Sequence, residues 1–430
     1  MRKREHKSAA GWTRMATMIA VLATTCACHF ASLPKGSTIK VGPAYAAPVR
    51  ALEVEASAPS AADEDEMPAV AAAEPVAQPV AETIVAPAPI VSDETPTAAP
   101  ATRLRTRRHA RTEPLPEGDV RNASDGRFFR RPDRPIRIAL ATQPVSEVER
   151  GHGGRSLSFH LTLEDGTEGY FKPSQSFNGM SWSSEIAAYH LDRELGFGRV
   201  APSVGRRIAF DELEPTANTD ARRDELRVEE DGMITGAFIW WVPERLRPVE
   251  LPEGWEAWLR NDSTVPVVTP FQRPGTYRTA TGRRGARRAI ETIPTPDREE
   301  RPAELSDLIV FDYLTQNLDR WGGNNTNIRT VGEGGELMFL DNAAGFVLRA
   351  PRVGMMDLRL HEVQRFRRST IEAIRAFDID AYRERLERDA LSPVLDDRQL
   401  ENLEIRRQHV LEYVDGLIEE HGEDAILVWD

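Results

Sequence analysis

This 430-residue sequence has very little cysteine, no long apolar run and no excess of positive charge. Its two cysteines, Cys26 and Cys28, both lie near the N-terminus, which excludes a disulfide-stapled scaffold or a cysteine-ligated zinc site for the rest of the chain. No apolar run reaches the roughly 18–20 residues that span a bilayer, so a polytopic membrane protein is excluded. The net charge of −13 argues against general nucleic-acid binding.

Lysine is almost absent beyond the N-terminus. Of the 55 basic residues only five are lysine, and after Lys40 the chain contains Lys172 alone. Arginine replaces lysine on a solvated surface, but not at a site that requires a compact point charge on a flexible stem. The alternative explanation is that this one lysine remains in the body of the chain by chance. The composition therefore marks Lys172 as a candidate functional residue.

Three familiar catalytic motifs are also missing. Because Lys172 is the only lysine of the body, there is no P-loop sequence G-x-x-x-x-G-K-[ST]. His361 and Glu362 are not followed by the second histidine of a zinc-protease helix. The segment 179–183 lacks the last glycine of a nucleophile elbow.

The N-terminus has the pattern of an export leader. A basic segment ends at Arg14, and the thirteen residues of Met15–Ala27 form an apolar stretch of signal-peptide length. We predict a leader over residues 1–47, with a short type II anchor, and thus an N-terminal membrane tether, as the alternative. Either one places the body outside the cytosol, in the periplasm, at the cell surface or secreted.

Residues 48–130 are expected to form a disordered spacer. Positions 51–101 contain sixteen Ala, eight Pro and ten acidic residues, with no basic or aromatic residue. Such a segment buries too little apolar surface to offset the entropy lost on ordering. An arginine-rich block follows at 103–111, either as a solvated charge run or as a contact for an anionic surface.

The first half of the body, from about residue 131, shows strand patterns. Apolar residues alternate over 155–163, a turn follows at 164–166, and 169–172 begins a second strand. Residues 234–242 predict a buried strand. Between these strands Ser183 or Ser184 is expected to cap a helix that carries Glu185 in its first turn.

The second half of the body shows helical patterns. Leu308, Phe311, Leu314 and Leu318 are spaced three, three and four residues apart, which predicts a helix that Asp319 ends. A hairpin is predicted from 328–340, and helical spacing dominates from Ser369 onward. The chain therefore predicts an α+β, two-lobed fold with a small β-rich N-lobe, 131–245, and a larger helical C-lobe, 246–430.

Polar residues follow one another in an order that suits phosphoryl transfer. Lys172 ends a strand and Glu185 opens the next helix, where the two side chains can pair. Asp319 precedes Asn324 by five residues, the spacing of the kinase catalytic loop, although no histidine precedes Asp319. Asp341 follows the next strand. Phosphoryl transfer requires a cation on phosphates, an anion that fixes it, a proton acceptor and ligands for a divalent metal.

Four segments of the body carry familiar motifs: G-Y-F-K-P at 169–173, S-E-I-A-A-Y-H-L-D-R-E-L-G-F at 184–197, D-Y-L-T-Q-N-L-D-R at 312–320 and F-L-D-N-A-A-G-F at 339–346. They resemble the Four-jointed and Golgi casein-kinase family of secretory-pathway kinases. Animal members rely on disulfides, so the loops that those bridges hold must be absent or differently built here. The arginine- and alanine-rich composition suggests a bacterial relative.

The resemblance implies an atypical protein-kinase-like fold and a role for four residues. Lys172 is expected on the nucleotide phosphates, with Glu185 pairing with it or lying near the metal. Asp319 is expected as the catalytic acid/base and Asp341 as a metal ligand. The implied cofactors are ATP and Mg²⁺ or Mn²⁺.

The spacing adds three further candidates. Asn324 is expected to hold the metal together with Asp341. Gly153 and Gly154 are expected to lie over the phosphates, with a purely structural role in the turn as the alternative. The sequence thus predicts an exported kinase that acts on a protein or glycan acceptor. The alternatives are a pseudokinase that serves as a secreted interaction module and a kinase of small molecules.

Overall fold

The computed structural model describes residues 126–430, except 152–153, 178–179, 262–263, 267–269, 272–286, 290–291, 323–324 and 347–349. The predicted leader, nearly all of the predicted spacer, Gly153 and Asn324 lie outside the described residues. Within the described part of the chain, no helix has both the length and the apolar character needed to cross a membrane.

A five-stranded antiparallel sheet dominates the first half of the described chain. Two short paired strands precede it, β1 (Arg127–Phe128) and β2 (Arg131–Pro132). The sheet has the order β3-β4-β5-β7-β6. Its strands are β3 (Val145–Arg150), β4 (Phe159–Leu163), β5 (Glu168–Pro173), β6 (Ser203–Ala209) and β7 (Met233–Trp240). Strands β4, β5 and β7 confirm the three that the sequence predicted.

Three helices accompany this sheet: α1 (Asp133–Thr142), α2 (Trp182–Glu194) and α3 (Phe210–Ala217). The predicted cap of α2 was wrong. Ser181, not Ser183 or Ser184, precedes the helix, and its hydroxyl accepts the backbone N–H of Ser183 at 3.3 Å. Glu185 nevertheless lies in the first turn, where the helix dipole stabilises a negative charge.

The second half of the described chain is mainly helical. Its helices are α4 (Arg301–Thr315), α5 (Gly354–Leu360), α6 (Arg368–Ala376), α7 (Ile379–Glu387), α8 (Asp397–His421) and α9 (Glu423–Ile426). Short 3₁₀ turns occur at Arg223–Glu225 and Trp255–Leu259. Helix α4 is buried along nearly its whole length and forms the centre of this half. The helices after Ser369 confirm the predicted helical pattern.

Helix α4 ends at Thr315, three residues before the predicted end at Leu318. Gln316 adopts a left-handed conformation with φ 57°. The backbone N–H of Asn317 then bonds to the carbonyl of Asp312 at 2.9 Å, which completes a Schellman motif. Asp319 was predicted to lie at the end of the helix. It lies instead in the loop that follows.

Short strands complete the second half: β8 (Leu246–Pro248), β9 (Thr264–Pro266), β10 (Arg287–Ala289), β11 (Arg329–Val331), β12 (Leu337–Met338), β13 (Phe366–Arg367) and β14 (Leu427–Trp429). Strands β11 and β12 form the predicted hairpin, and β8 pairs with β11. A β-rich half followed by a helical half confirms the α+β, two-lobed fold. The lobe boundary at residue 245 stays a prediction.

Candidate active site

Lys172 enters the site from strand β5. Its backbone pairs with Ala237 of β7, inside the sheet. Because neighbouring side chains of a strand point to opposite faces, Phe171 packs into the core of one face and Lys172 extends from the other. The side chain of Lys172 is 16% exposed, so it is largely withdrawn from water.

Glu185 approaches the same ammonium group from the first turn of α2. Its Oε1 atom lies 2.6 Å from Nζ of Lys172, and its side chain is 3% exposed. The same oxygen accepts the backbone N–H of Asn342 at 3.0 Å. A buried carboxylate needs such partners, because an unpaired charge is costly away from water. The structure thus brings together Lys172 and Glu185, as the sequence predicted.

Asp341 brings a second carboxylate to Lys172 from the loop after β12. Its Oδ1 atom lies 2.6 Å from Nζ. Burial opposes the charge on Lys172, but the carboxylates of Asp341 and Glu185 outweigh it and raise the pKa of the lysine above its ordinary value. Lys172 in turn holds the pKa of Asp341 below its usual range. Lys172 and Asp341 are therefore both charged at neutral pH.

The backbone at Asp341 is unusual. Its φ of 59° lies in the left-handed region, which residues other than glycine rarely adopt. Aspartate is one of the few other residues that tolerate it. With this backbone, the Oδ1 atom of Asp341 lies 2.6 Å from Nζ of Lys172.

Asp319 lies in the loop after α4, and Asn317 connects this loop to Asp341. The Oδ1 atom of Asn317 accepts the backbone N–H of Asp319 at 3.2 Å. Its Nδ2 atom donates to the backbone carbonyl of Asp341 at 3.1 Å. Asn317 is fully buried. It was not predicted, and its only signal was a polar residue inside the motif at 312–320.

A second buried group, also not predicted, links the same two loops. The Nε atom of Arg320 lies 3.0 and 3.3 Å from the two carboxylate oxygens of Asp312, and Nη2 donates to Oδ1 of Asn342 at 2.7 Å. Trp321 donates its indole N–H to Asp312 at 3.1 Å. Burial raises the pKa of Asp312 to about 6, although Arg320 opposes the shift. Arg320 thus joins α4, the loop of Asp319 and the residue after Asp341.

The glycine-containing turn before β4 is described only in part, because Gly153 lies outside the described residues. Gly154 has a φ of 75°, a conformation that favours glycine. Nη1 of Arg222 donates to the carbonyl oxygens of Gly154, Arg155 and Ser156 at 3.3, 3.1 and 3.1 Å. These bonds hold the backbone of the turn in place. Contact of Gly154 with phosphates stays a prediction.

Glu185 and Asp341 carry the oxygen atoms that suit a divalent metal. Each lies 2.6 Å from the ammonium of Lys172, so both carboxylates converge on one cation position. In the part of the chain with described positions, no group of three or more His, Cys, Asp or Glu side chains is arranged for a metal. Asn324 lies outside that part. Two carboxylates suit a metal that takes its remaining ligands from phosphates and water, as Mg²⁺ does.

Fold and site together define a class of protein. An antiparallel sheet presents a lysine to a glutamate of the next helix, and two further aspartates follow in loops of the helical half. Protein kinases use a strand lysine, a helix glutamate, a catalytic-loop aspartate and a metal-binding aspartate in this chain order. The chain is therefore a protein-kinase-like protein.

Comparison with known proteins shows which family the chain is similar to. Residues 262–426 match the family model described as Golgi casein kinase, C-terminal, Fam20. Glycosaminoglycan xylosylkinase of Homo sapiens is 26% identical over 326 residues, which cover 68% of this chain and 76% of the relative. Pseudokinase FAM20A of Homo sapiens is 28% identical over 290 residues, which cover 57% and 49%. The solved structure of hydra Fam20 with sugar has a TM-score of 0.51 at 22% identity and covers 69% of this chain and 91% of that chain.

These similarities confirm the resemblance to the Golgi casein kinase and Four-jointed family that the four motif segments indicated. The likeness to the hydra structure confirms the kinase-like fold. The bacterial origin suggested by the composition stays a prediction.

Proposed function

We propose that this chain is an exported, metal-dependent kinase that transfers the γ-phosphoryl group of ATP to a hydroxyl group of a glycan or protein. The strongest support is the ammonium of Lys172, which lies 2.6 Å from carboxylates of two separate elements. Kinases use a cation oriented in this way on the nucleotide phosphates.

Lys172, Glu185 and Asp341 bind the donor end of the reaction. Lys172 neutralises charge on the phosphates, and Glu185 fixes the rotamer of the lysine. Asp341 and Glu185 supply carboxylate oxygens for Mg²⁺ or Mn²⁺, and Asn324 is the predicted further ligand. When bound, the metal neutralises charge that develops on the phosphate oxygens. Contact of Gly153 and Gly154 with the phosphates is part of the proposal.

Asp319 acts at the acceptor end. Its carboxylate receives the proton of the acceptor hydroxyl while the hydroxyl oxygen forms a bond to the γ-phosphorus. The bond between that phosphorus and ADP breaks, so the products are a phosphate ester, ADP and a proton. A positioned acid/base group contributes about 10²–10⁴ to the rate.

Two classes of acceptor are supported by the names of similar proteins. The xylosylkinase similarity favours a sugar hydroxyl, and the casein-kinase family favours a hydroxyl of a protein. Similarity to a pseudokinase keeps a catalytically inactive interaction module as the alternative. Export rests on the basic and apolar pattern of residues 1–27 alone.

Transfer of label from γ-labelled ATP tests the proposal. The purified full chain is incubated with Mn²⁺ or Mg²⁺, and with a xylose-bearing glycan or casein as the acceptor. We expect metal-dependent label on one acceptor class and its loss with a chelator. Glu185→Gln is expected to abolish transfer, whereas Glu230→Gln, which changes an exposed carboxylate, is not. Nucleotide binding without transfer to either acceptor would favour the pseudokinase.

A further inference from the structure

Asn317 lies at the point where helix α4 ends and the loop of Asp319 begins. Its backbone N–H is fixed by the carbonyl of Asp312, and its side chain is fully buried. The position of the amide group is therefore set by the end of a buried helix rather than by a mobile loop.

The amide of Asn317 joins two loops that each carry a predicted functional carboxylate. It accepts the backbone N–H of Asp319 at 3.2 Å and donates to the backbone carbonyl of Asp341 at 3.1 Å. A backbone N–H only donates and a carbonyl oxygen only accepts, so the two partners fix the orientation of the amide. A carboxylate, hydroxyl or apolar side chain at this position cannot make both bonds in the same geometry.

Arg320 supplies a second link between the same loops. It donates to the side chain of Asn342, the residue after Asp341, while its own charge is balanced by Asp312. Arg320, Asp312 and Asn342 are each at most 1% exposed. The Asp319 and Asp341 loops are thus connected twice, once through Asn317 and once through Arg320.

We propose that Asn317 is a positioning residue, which sets the separation between the carboxylate that accepts the proton and the carboxylate that holds the metal. This inference rests on the proposed kinase function. It extends that function to a residue that acts through Asp319 and Asp341, since both bonds of Asn317 are to the backbone of these two residues. A misplacement of about 1 Å between reacting groups costs about 10²-fold in rate. Loss of a residue that orients a metal ligand weakens metal binding about 10–100-fold.

The test compares Asn317→Asp and Asn317→Ala with Ser306→Ala. Asn317→Asp keeps the acceptor for Asp319 and loses the donor to Asp341, whereas Asn317→Ala loses both. Ser306 is a matched control on α4, because it is buried and donates to the carbonyl of Arg365 at 2.9 Å. The measurements are the affinity for Mn²⁺ in the presence of ADP, the Mn²⁺ concentration at half-maximal rate, kcat, the KM for ATP and the melting temperature.

We expect both Asn317 variants to bind Mn²⁺ about 10–100-fold more weakly in the presence of ADP. They should also lose kcat with little change in the KM for ATP, while Ser306→Ala changes only the melting temperature. Parental Mn²⁺ affinity in Asn317→Asp would overturn the proposal. Loss of folding in both Asn317 variants would also overturn it, because Asn317 would then be a structural residue. If the parent binds Mn²⁺ and ADP but transfers no phosphate, the kinase function fails, and the Mn²⁺ affinities still decide the role of Asn317.

Discussion

The Nζ atom of Lys172 and the Oδ1 atom of Asp341 lie 2.6 Å apart, although 169 residues separate them in the sequence. Strand β5 supplies the lysine and the loop after β12 supplies the aspartate. Glu185 shares the same ammonium, so one charged group joins the sheet, helix α2 and the helical half.

Replacement of Lys172 by arginine is expected to abolish most activity without loss of the fold. The guanidinium is planar and wide, so it cannot place one point charge between the two carboxylates and the phosphates. Loss of one aimed electrostatic group costs about 10²–10³ in rate, so we expect Lys172→Arg to be at least about a hundredfold slower. Steady-state kinetics and a thermal melt measure both properties.

The reciprocal exchange Arg150→Lys is the matched control. Arg150 is an exposed residue paired with Asp220, so its replacement should leave activity unchanged. Parental activity in Lys172→Arg would mean that lysine survived at this position by chance.

Removal of the Asp319 carboxylate is expected to affect chemistry rather than nucleotide binding. Asp319→Asn keeps the size of the side chain but cannot accept the proton, so kcat should fall about 10²–10⁴-fold. The affinity for ATP, measured by calorimetry, should stay within about twofold, because a group that acts only in the transition state leaves ground-state binding unchanged. Asp224→Asn, which changes a carboxylate that is 90% exposed, controls for the loss of charge. An equal loss of ATP affinity in Asp319→Asn would place this residue on the nucleotide instead.

The raised pKa of Asp312 leads us to expect a specific dependence of the free energy of unfolding on pH. Burial raises its pKa to about 6 in the folded chain, although Arg320 and Arg359 face it and oppose the shift. The pKa in the unfolded chain is about 3.9. Because the folded state binds the proton more tightly, this group contributes stability below pH 4 that is lost as the pH rises through about 6.

The measurement is the free energy of unfolding of the parent and of Asp312→Asn between pH 4 and 8. The difference, parent minus variant, should fall by about 1.4 kcal/mol per pH unit up to about pH 6 and then level off. A difference that rises over this range would show that Arg320 lowers the pKa of Asp312 below its ordinary value.

The central residues of the site were predictable because their signals are local. Lys172 ends an alternating strand, and Glu185 opens a helix. Asp341 follows a hairpin strand, and all three lie in segments with family motifs. The sequence therefore predicted the pair of Lys172 and Glu185, but not the contact of Lys172 with Asp341. The structure adds the distances and the sharing of one ammonium.

Strand β6 escaped prediction because it contains a buried arginine. Arg206 is 1% exposed and donates to the carbonyl oxygens of Leu140 and Gln143 at the end of α1. A charged residue on an inward position breaks the apolar alternation that marks a strand. The carbonyl groups that bind the buried guanidinium are more than sixty residues away in the sequence, so no local sequence pattern indicates them.

The residues that connect the two loops escaped prediction for the same reason. Asn317 bonds to the backbone of Asp341 and Arg320 bonds to the side chain of Asn342, and these partners lie more than twenty residues further along the chain. The end of α4 was predicted wrongly for another reason. Leu318 continues the apolar spacing, but the left-handed Gln316 ends the helix before it.

Transfer of the γ-phosphoryl group by the parent and by Asp341→Asn, compared in a single turnover with Mn²⁺ or Mg²⁺, decides whether Asp341 shares one phosphoryl-transfer site with Lys172. Asp397→Asn, at a carboxylate that is 90% exposed, is the matched control. We expect the parent and the control to transfer label to the acceptor, while Asp341→Asn melts like the parent and transfers none above background. Near-normal transfer by a folded Asp341→Asn variant would contradict the assignment of Lys172, Glu185 and Asp341 to one phosphoryl-transfer site.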